Sequence, residues 1–342
     1  MLVLHAVRGR LPGRRRHREH SVPAPMSDME LATALQQLTD ADAGQRQLAV
    51  MALEELADAA SVEALIAALR DPDATVRRLA VGVLEELGDA RAVEPLVSAL
   101  EDESPAVRTA ARTALREFRS GEATPALVAA LERADPDVRA AAILALRELR
   151  DPRAVDPLRR TLRDPDAVVR REAVTALGYL RERAAVDDLR AALDDADASV
   201  RRLAIGALAF FNDPRLLGDF IGALDDGDWQ VRREAVIVLG RTEHPGAGPA
   251  LVRALGDPAW QVVKEAAAGI GQRRVAAVAP LVALLRHAHP DIRKNAATAL
   301  GAIGALEAVN RLTALTNDDD VEVRKAASRA LNEIALAGRV VQ

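Results

Sequence analysis

The sequence predicts an all-α fold, a right-handed α-α superhelix of about ten two-helix repeats of 31 residues. Three observations carry this. An arginine recurs at Arg46, Arg77, Arg108, Arg139, Arg170, Arg201 and Arg232; the same slot then holds Val263, Arg293 and Arg324, every step being 31 residues except one of 30. Three residues past each of these positions stands an alanine, in unbroken series from Ala49 and Ala80 to Ala296 and Ala327. Nowhere do strand formers alternate with the period of two that a half-buried strand needs. A composition 49% hydrophobic with only two Trp, one Tyr and four Phe suits thin layers of closely packed helices.

Taken in order, residues 1–25 carry six arginines against one glutamate and are expected to be a disordered basic tail, or a stretch ahead of a natural start at Met26. An organellar transit peptide is the lesser alternative. Order is expected from Ser27, whose spacing to Glu30 is that of a capping box. The repeat domain is expected over 26–338, with Gly338 as a stop signal and 339–342 as a C-terminal tail. Within each repeat a first helix shows apolar residues at helical spacing, as in Val62, Leu65 and Leu69, or Val155, Leu158 and Leu162. A turn rich in Asp and Pro follows. The second helix then carries the stripe Val76, Ala80, Val83, Leu84 and Leu87. Four residues before the recurring arginine stands an N-cap candidate: Asp42, Asp73, Ser104, Asp135, Asp166, Asp197, Asp228 or Asp320. Pro105, Pro136 and Pro290 take the first helical position.

Six residues before the recurring arginine, eight repeats keep an aspartate, including Asp71, Asp102, Asp164, Asp195 and Asp226. With Arg77, Arg108, Arg170, Arg201 and Arg232 these predict a row of charge-assisted hydrogen bonds, within and between repeats, that fixes the register of neighbouring layers. The runs from Asp164 to Gly178 and from Asp226 to Gly240 show the pattern in full. It resembles HEAT-repeat proteins, specifically the short bacterial HEAT-like repeats of the phycobilisome lyase type. That resemblance implies first helices on the convex side and second helices lining a concave side. It implies functions as varied as bilin attachment, cofactor-assembly chaperoning and protein scaffolding.

Departures from the repeat mark the candidate site. Trp229 and Trp260, each followed by glutamine (Gln230, Gln261), occupy one slot in consecutive repeats, where two rings roughly 10 Å apart could form an aromatic shelf or could fold over the neighbouring turn. Nine residues past the recurring arginine, Glu55, Glu86, Glu117 and Glu148 give way to Tyr179 and Phe210, which are expected to be exposed. Phe118 and Phe211 fall in a slot held elsewhere by leucine and are expected to pack. Arg171, Arg202, Arg233, Lys264, Lys294 and Lys325 form a line of cations, open to an acidic partner or paired internally. Together these suggest a hydrophobic patch in repeats five to seven.

Several functions are disfavoured. The chain has no cysteine, so it has no disulfide, thiolate metal site or cysteine nucleophile. Its formal net charge is -5, and beyond residue 25 there are 40 basic against 50 acidic side chains, which argues against broad phosphate binding. His287 and His289 form only a fragment of a metal site and stand in structural slots. No phosphate-binding loop or nucleophile motif is present. The expectation is a cytoplasmic, monomeric, non-catalytic scaffold that needs no cofactor and binds another protein on the concave face. An accessory role in cofactor attachment or metal-cluster assembly is the alternative; nucleic acid and membrane partners are not expected.

Overall fold

The computed structural model describes residues 28–56 and 61–340, and every regular element among them is helical. Two compact units are formed, one up to Asp89 and one from Ala90 onward. In the first, α1 (Asp28–Gln37) pairs with α2 (Ala43–Leu56), and α3 (Val62–Ala68) with α4 (Ala74–Leu87). The second begins with the pairs α5 (Val93–Ser98) and α6 (Pro105–Leu115), α7 (Thr124–Ala130) and α8 (Pro136–Leu149), and α9 (Val155–Thr161) and α10 (Ala167–Leu180). Next come α11 (Val186–Ala191) and α12 (Ala198–Ala209), then α13 (Leu217–Gly222) and α14 (Trp229–Arg241). Finally α15 (Ala247–Ala254) pairs with α16 (Trp260–Arg273), α17 (Val278–Leu284) with α18 (Pro290–Ile303), and α19 (Val309–Leu315) with α20 (Val321–Val340). These are ten two-helix repeats. The expectations for residues 1–25 and for a cap at Ser27 fall outside the described residues. The stop expected at Gly338 is corrected, because α20 runs on to Val340. One glycine costs a helix only about 1 kcal/mol, and no turn-forming residue follows it.

All ten of the recurring alanines have no exposed surface. A methyl group is what lets a second helix lie close to its neighbours, and a larger side chain in that slot would overpack the layer. Around them Val76, Val83 and Leu84, with Val62 and Leu65, fill the layer as their spacing predicts, while Leu87 at the end of α4 is half-exposed. Second helices also meet at glycine. A Cβ placed on Gly271 of α16 would lie 2.8 Å from the Ala299 Cα of α18, a distance the two backbones can open only by moving apart.

The Asp–Arg row is present, with a defined geometry. The Arg201 guanidinium donates from Nε and Nη2 to both carboxylate oxygens of Asp226 in the next repeat, at 2.7 and 2.8 Å. Its Nη1 reaches back to the carbonyls of Asp195 and Ala196 at the start of its own helix. Asp226 also accepts the Asp228 amide at 2.8 Å. The same bidentate grip joins Arg46 to Asp71 in the first unit. In the second it joins Arg139 to Asp164, Arg170 to Asp195, Arg232 to Asp257 and Arg293 to Asp318. Every carboxylate so gripped belongs to the repeat after its arginine; within a repeat the arginine meets only carbonyls. Arg77 donates to the carbonyls of Asp71 and Pro72, and the Asp102 carboxylate accepts the Ser104 amide.

Arg108 is a correction. It donates to the carbonyls of Asp102 and Glu103 and has no carboxylate partner among the described residues. Arg133 fills the aspartate slot of the next repeat and turns instead to Glu101. The caps behave as expected at Asp73, Asp135, Asp166, Asp197 and Asp228, whereas Ser104 makes no capping hydrogen bond and leaves the start of α6 to Pro105.

Electrostatics follow from this geometry. The Arg201 guanidinium holds the Asp226 carboxyl below its ordinary range against an opposing push from burial, and Arg293 does the same for Asp318. For Asp71 and Asp195 burial is the largest single influence and pushes upward, but the arginine, the backbone amide and the local charge together outweigh it. Asp226→Asn is expected to cost about 2 kcal/mol in urea unfolding at neutral pH. The folded carboxyl titrates below its unfolded value, so its stabilisation is complete above about pH 4 and is lost as pH falls through the folded value. The gap between wild type and variant should therefore close in acid; a gap unchanged by acid would refute the ion pair. Independently, Gly271→Val should lower stability by about 1–3 kcal/mol in the same assay through forced separation of α16 and α18.

Candidate protein-interaction surface

The anomalous aromatics divide between the two ends of the second helices. Trp229 and Trp260 open α14 and α16, whereas Tyr179 lies at the end of α10 and Phe210 just past the end of α12. Twelve helical positions separate the two slots, about 18 Å along a helix. The single patch expected in repeats five to seven is thus corrected to two separate clusters.

At the far end, Tyr179 is 45% exposed and Phe210 58%, as their replacement of solvated glutamates predicts. Each ring lies beneath an arginine from the preceding repeat. The Arg150 guanidinium is 4.6 Å from the Tyr179 ring centre and donates to its hydroxyl, and the Arg181 guanidinium is 5.1 Å from the Phe210 ring centre. Both arginines sit in the left-handed region at φ 55° and 56°, directly after their helices, which turns their side chains toward the next layer. Phe118 is buried as expected, while Phe211 is only half-buried.

At the near end, Trp229 is half-buried and Gln230 exposed, with the Gln230 amide capped by Asp228 at 2.7 Å. Trp260 is 37% exposed, and its indole stacks on the His289 ring at 3.8 Å between centres and 17° between planes. Gln261 beside it is half-buried. Trp260 therefore folds over the neighbouring turn, and it does so where the ladder is missing: Val263 has replaced the arginine and His287 the aspartate. His287 and His289 perform the aspartates' backbone work, each accepting an amide through Nδ1. Among the described residues no group of three His, Cys, Asp or Glu side chains could hold a metal.

The cation line is also divided. Arg233 and Lys264 share Glu265 at 3.3 and 3.2 Å, Lys294 meets Asp291 at 2.7 Å, and Lys325 meets Glu322 at 2.8 Å. Lys294 is the main influence lowering the Asp291 carboxyl, with burial opposing it. Arg171 and Arg202 are half-exposed, and neither has a carboxylate within ion-pair distance among the described residues.

A feature the sequence reading missed lies at the far end of repeats six and seven. A cavity of about 780 Å³ opens between the end of α12 and the end of α14, walled by Phe210, Leu217 and Val238 and edged by Glu234 and Glu243. Two departures from the repeat accompany it. The slot filled by Leu87, Leu149 and Leu180 in other repeats holds Thr242, which is extended and ends α14. α12 stops at Ala209, before its own Phe211 in that slot. The signal was Thr242, a short polar residue where a branched apolar one recurs.

A family model described as HEAT repeats matches residues 31–116, 93–177, 160–219, 186–269, 217–287 and 265–332. The chain belongs to the HEAT-repeat family. Among curated proteins none matches. Solved structures similar to this HEAT-repeat chain include an engineered protein, with 24% identity, 90% of this chain and 99% of that chain covered, and a TM-score of 0.48. A chain from a structure of Kap95p with RanGDP shares 17% identity over 89% of this chain and 49% of its own, at a TM-score of 0.60. Importin beta shares 17% identity over 89% and 50%, at 0.56. The chain thus spans about half the length of the latter two, and the likeness is one of fold.

The stack at the break in the ladder has a measurable consequence. His289→Asn keeps a capping acceptor and removes the ring, so a double-mutant cycle with Trp260→Ala should give a coupling of about 1 kcal/mol in urea unfolding. Additive losses would show that the two rings do not support one another.

Proposed function

We propose that this HEAT-repeat chain is a non-catalytic scaffold that holds a partner protein against the second helices of repeats five to eight. The observation that supports it most directly is the pair Arg171 and Arg202. In their row the four cations of repeats seven to ten each have an internal carboxylate, and these two have none among the described residues. Trp229 stands in the following repeat, three residues before the arginine slot, and supplies a large half-buried ring of the kind that anchors interfaces. The partner is a protein that brings carboxylates to the guanidinium groups and an apolar side chain to the indole. Trp260 contributes its exposed part while remaining stacked, and Gln230, Gln261, Arg233, Lys264 and Lys294 form the polar surround.

The concave placement of the second helices, a cytoplasmic site of action and a monomeric state are part of this reading. So is the absence of a cofactor. No helix among the described residues is long and apolar enough to cross a membrane. Kap95p, similar in fold, acts on another protein, RanGDP, which supports the scaffold reading only in general terms. A role in bilin attachment or cluster assembly rests on the resemblance to phycobilisome lyase repeats alone, and pigment or metal copurifying with the chain would favour it.

Immobilised full-length chain should capture a defined protein partner, identified by quantitative mass spectrometry. Trp229→Ser combined with Arg202→Ser should abolish that capture while leaving helical circular dichroism intact. Equal capture by wild type and variant would remove the assignment of this surface.

A further inference from the structure

The cavity at the far end of repeats six and seven has a chemistry of its own. Its wall of Phe210, Leu217 and Val238 offers an apolar side chain a place out of water. Glu234 and Glu243 line it and make no ion pair among the described residues. The third carboxylate, Asp213, is already engaged by Arg215 at 2.6 Å, which lowers it to about 2. Arg241 is the one guanidinium in the lining, and its side chain is exposed. Glu243 also follows α14 by two residues, at the negative pole of that helix, where a carboxylate adds to the local field. With Asp213 matched by Arg215, two carboxylates, Glu234 and Glu243, face the one guanidinium of Arg241, a net negative charge that attracts cations and repels phosphate.

We infer that this groove docks a segment of a partner protein that carries a lysine or arginine beside an aliphatic or aromatic side chain. The inference rests on the scaffold reading and deepens it, adding a second contact at the opposite end of the same helices. The apolar side chain enters between Phe210 and Val238, and the cation lies between Glu234 and Glu243. Successive helices pack about 10 Å apart, a span that three extended residues cover. The volume of about 780 Å³ accommodates two side chains with their backbone. Phe210 remains available on the groove side because Arg181 covers its ring from the preceding repeat.

The test uses fluorescein-labelled nonapeptides of glycine and serine with a central leucine or tryptophan flanked by two lysines. The same peptides flanked by glutamates, and phenethylamine as a small amine, serve as competing probes. Fluorescence anisotropy against the full chain should show saturable binding of the lysine peptides and none of the glutamate peptides. Combining Glu234→Gln with Glu243→Gln, both changes on partly or fully exposed side chains, should weaken the lysine peptides about tenfold. The inference is overturned if the lysine peptides fail to bind, if both sets bind alike, if the double substitution leaves affinity unchanged, or if phenethylamine binds as tightly as the peptides. Neither Trp229 nor Arg202 is altered, so failure here alongside partner capture that depends on those two residues would leave the scaffold reading standing.

Discussion

The arginine fork that closes on the aspartate of the following repeat is the interaction on which the stacking depends. Each fork satisfies five acceptor contacts at once: two carboxylate oxygens and two carbonyls from the guanidinium, and the amide that the aspartate itself accepts. For Arg201 and Asp226 all of these lie within 3.2 Å. Because the carboxylate is always one repeat ahead, the bond measures the offset between layers rather than the shape of one layer. A helix pair that slipped by a turn would strand a guanidinium and a carboxylate in a poorly solvated turn, an arrangement far more costly than a lost surface ion pair.

Two places where the fork is incomplete among the described residues are resolved in different ways. At Arg108 the guanidinium keeps its two carbonyls, and the arginine that replaced the aspartate bonds elsewhere, to Glu101. At Val263 both charged partners have gone together and an indole–imidazole stack has taken their position between layers. Losing both charges avoids an unpaired ion, and the flat contact between rings tolerates a small rotation that a bidentate ion pair does not.

Much of the fold was legible in the sequence, because a repeat reports the same environment ten times. The alanine slot is constant since each copy meets the same neighbouring backbone, and all ten copies are buried without residue. Tyr179 and Phe210 were readable as exposed for the same reason: five other copies of the slot hold glutamate. What the pattern does not report is a consequence that involves two layers. Thr242 is unremarked as a single threonine, yet it lines a cavity together with Asn212 and Asp213, which follow the early stop of α12 one layer before. Trp260 resembles Trp229 in sequence but differs in surroundings, since a histidine stands opposite it in the next turn. The clustering of the aromatics near one another in the chain concealed that they occupy opposite helix ends.

The unpaired charges change sign from one layer to the next. Arg171 and Arg202 lie one turn inside the starts of α10 and α12, whereas Glu234 lies in the corresponding turn of α14 and Glu243 beyond its finish. Under the proposed scaffold reading, a visitor laid across these layers would meet cations at repeats five and six and carboxylates at repeat seven. Turned end for end, it would set like charges together, so under that reading the order of the layers would fix which way round the visitor lies.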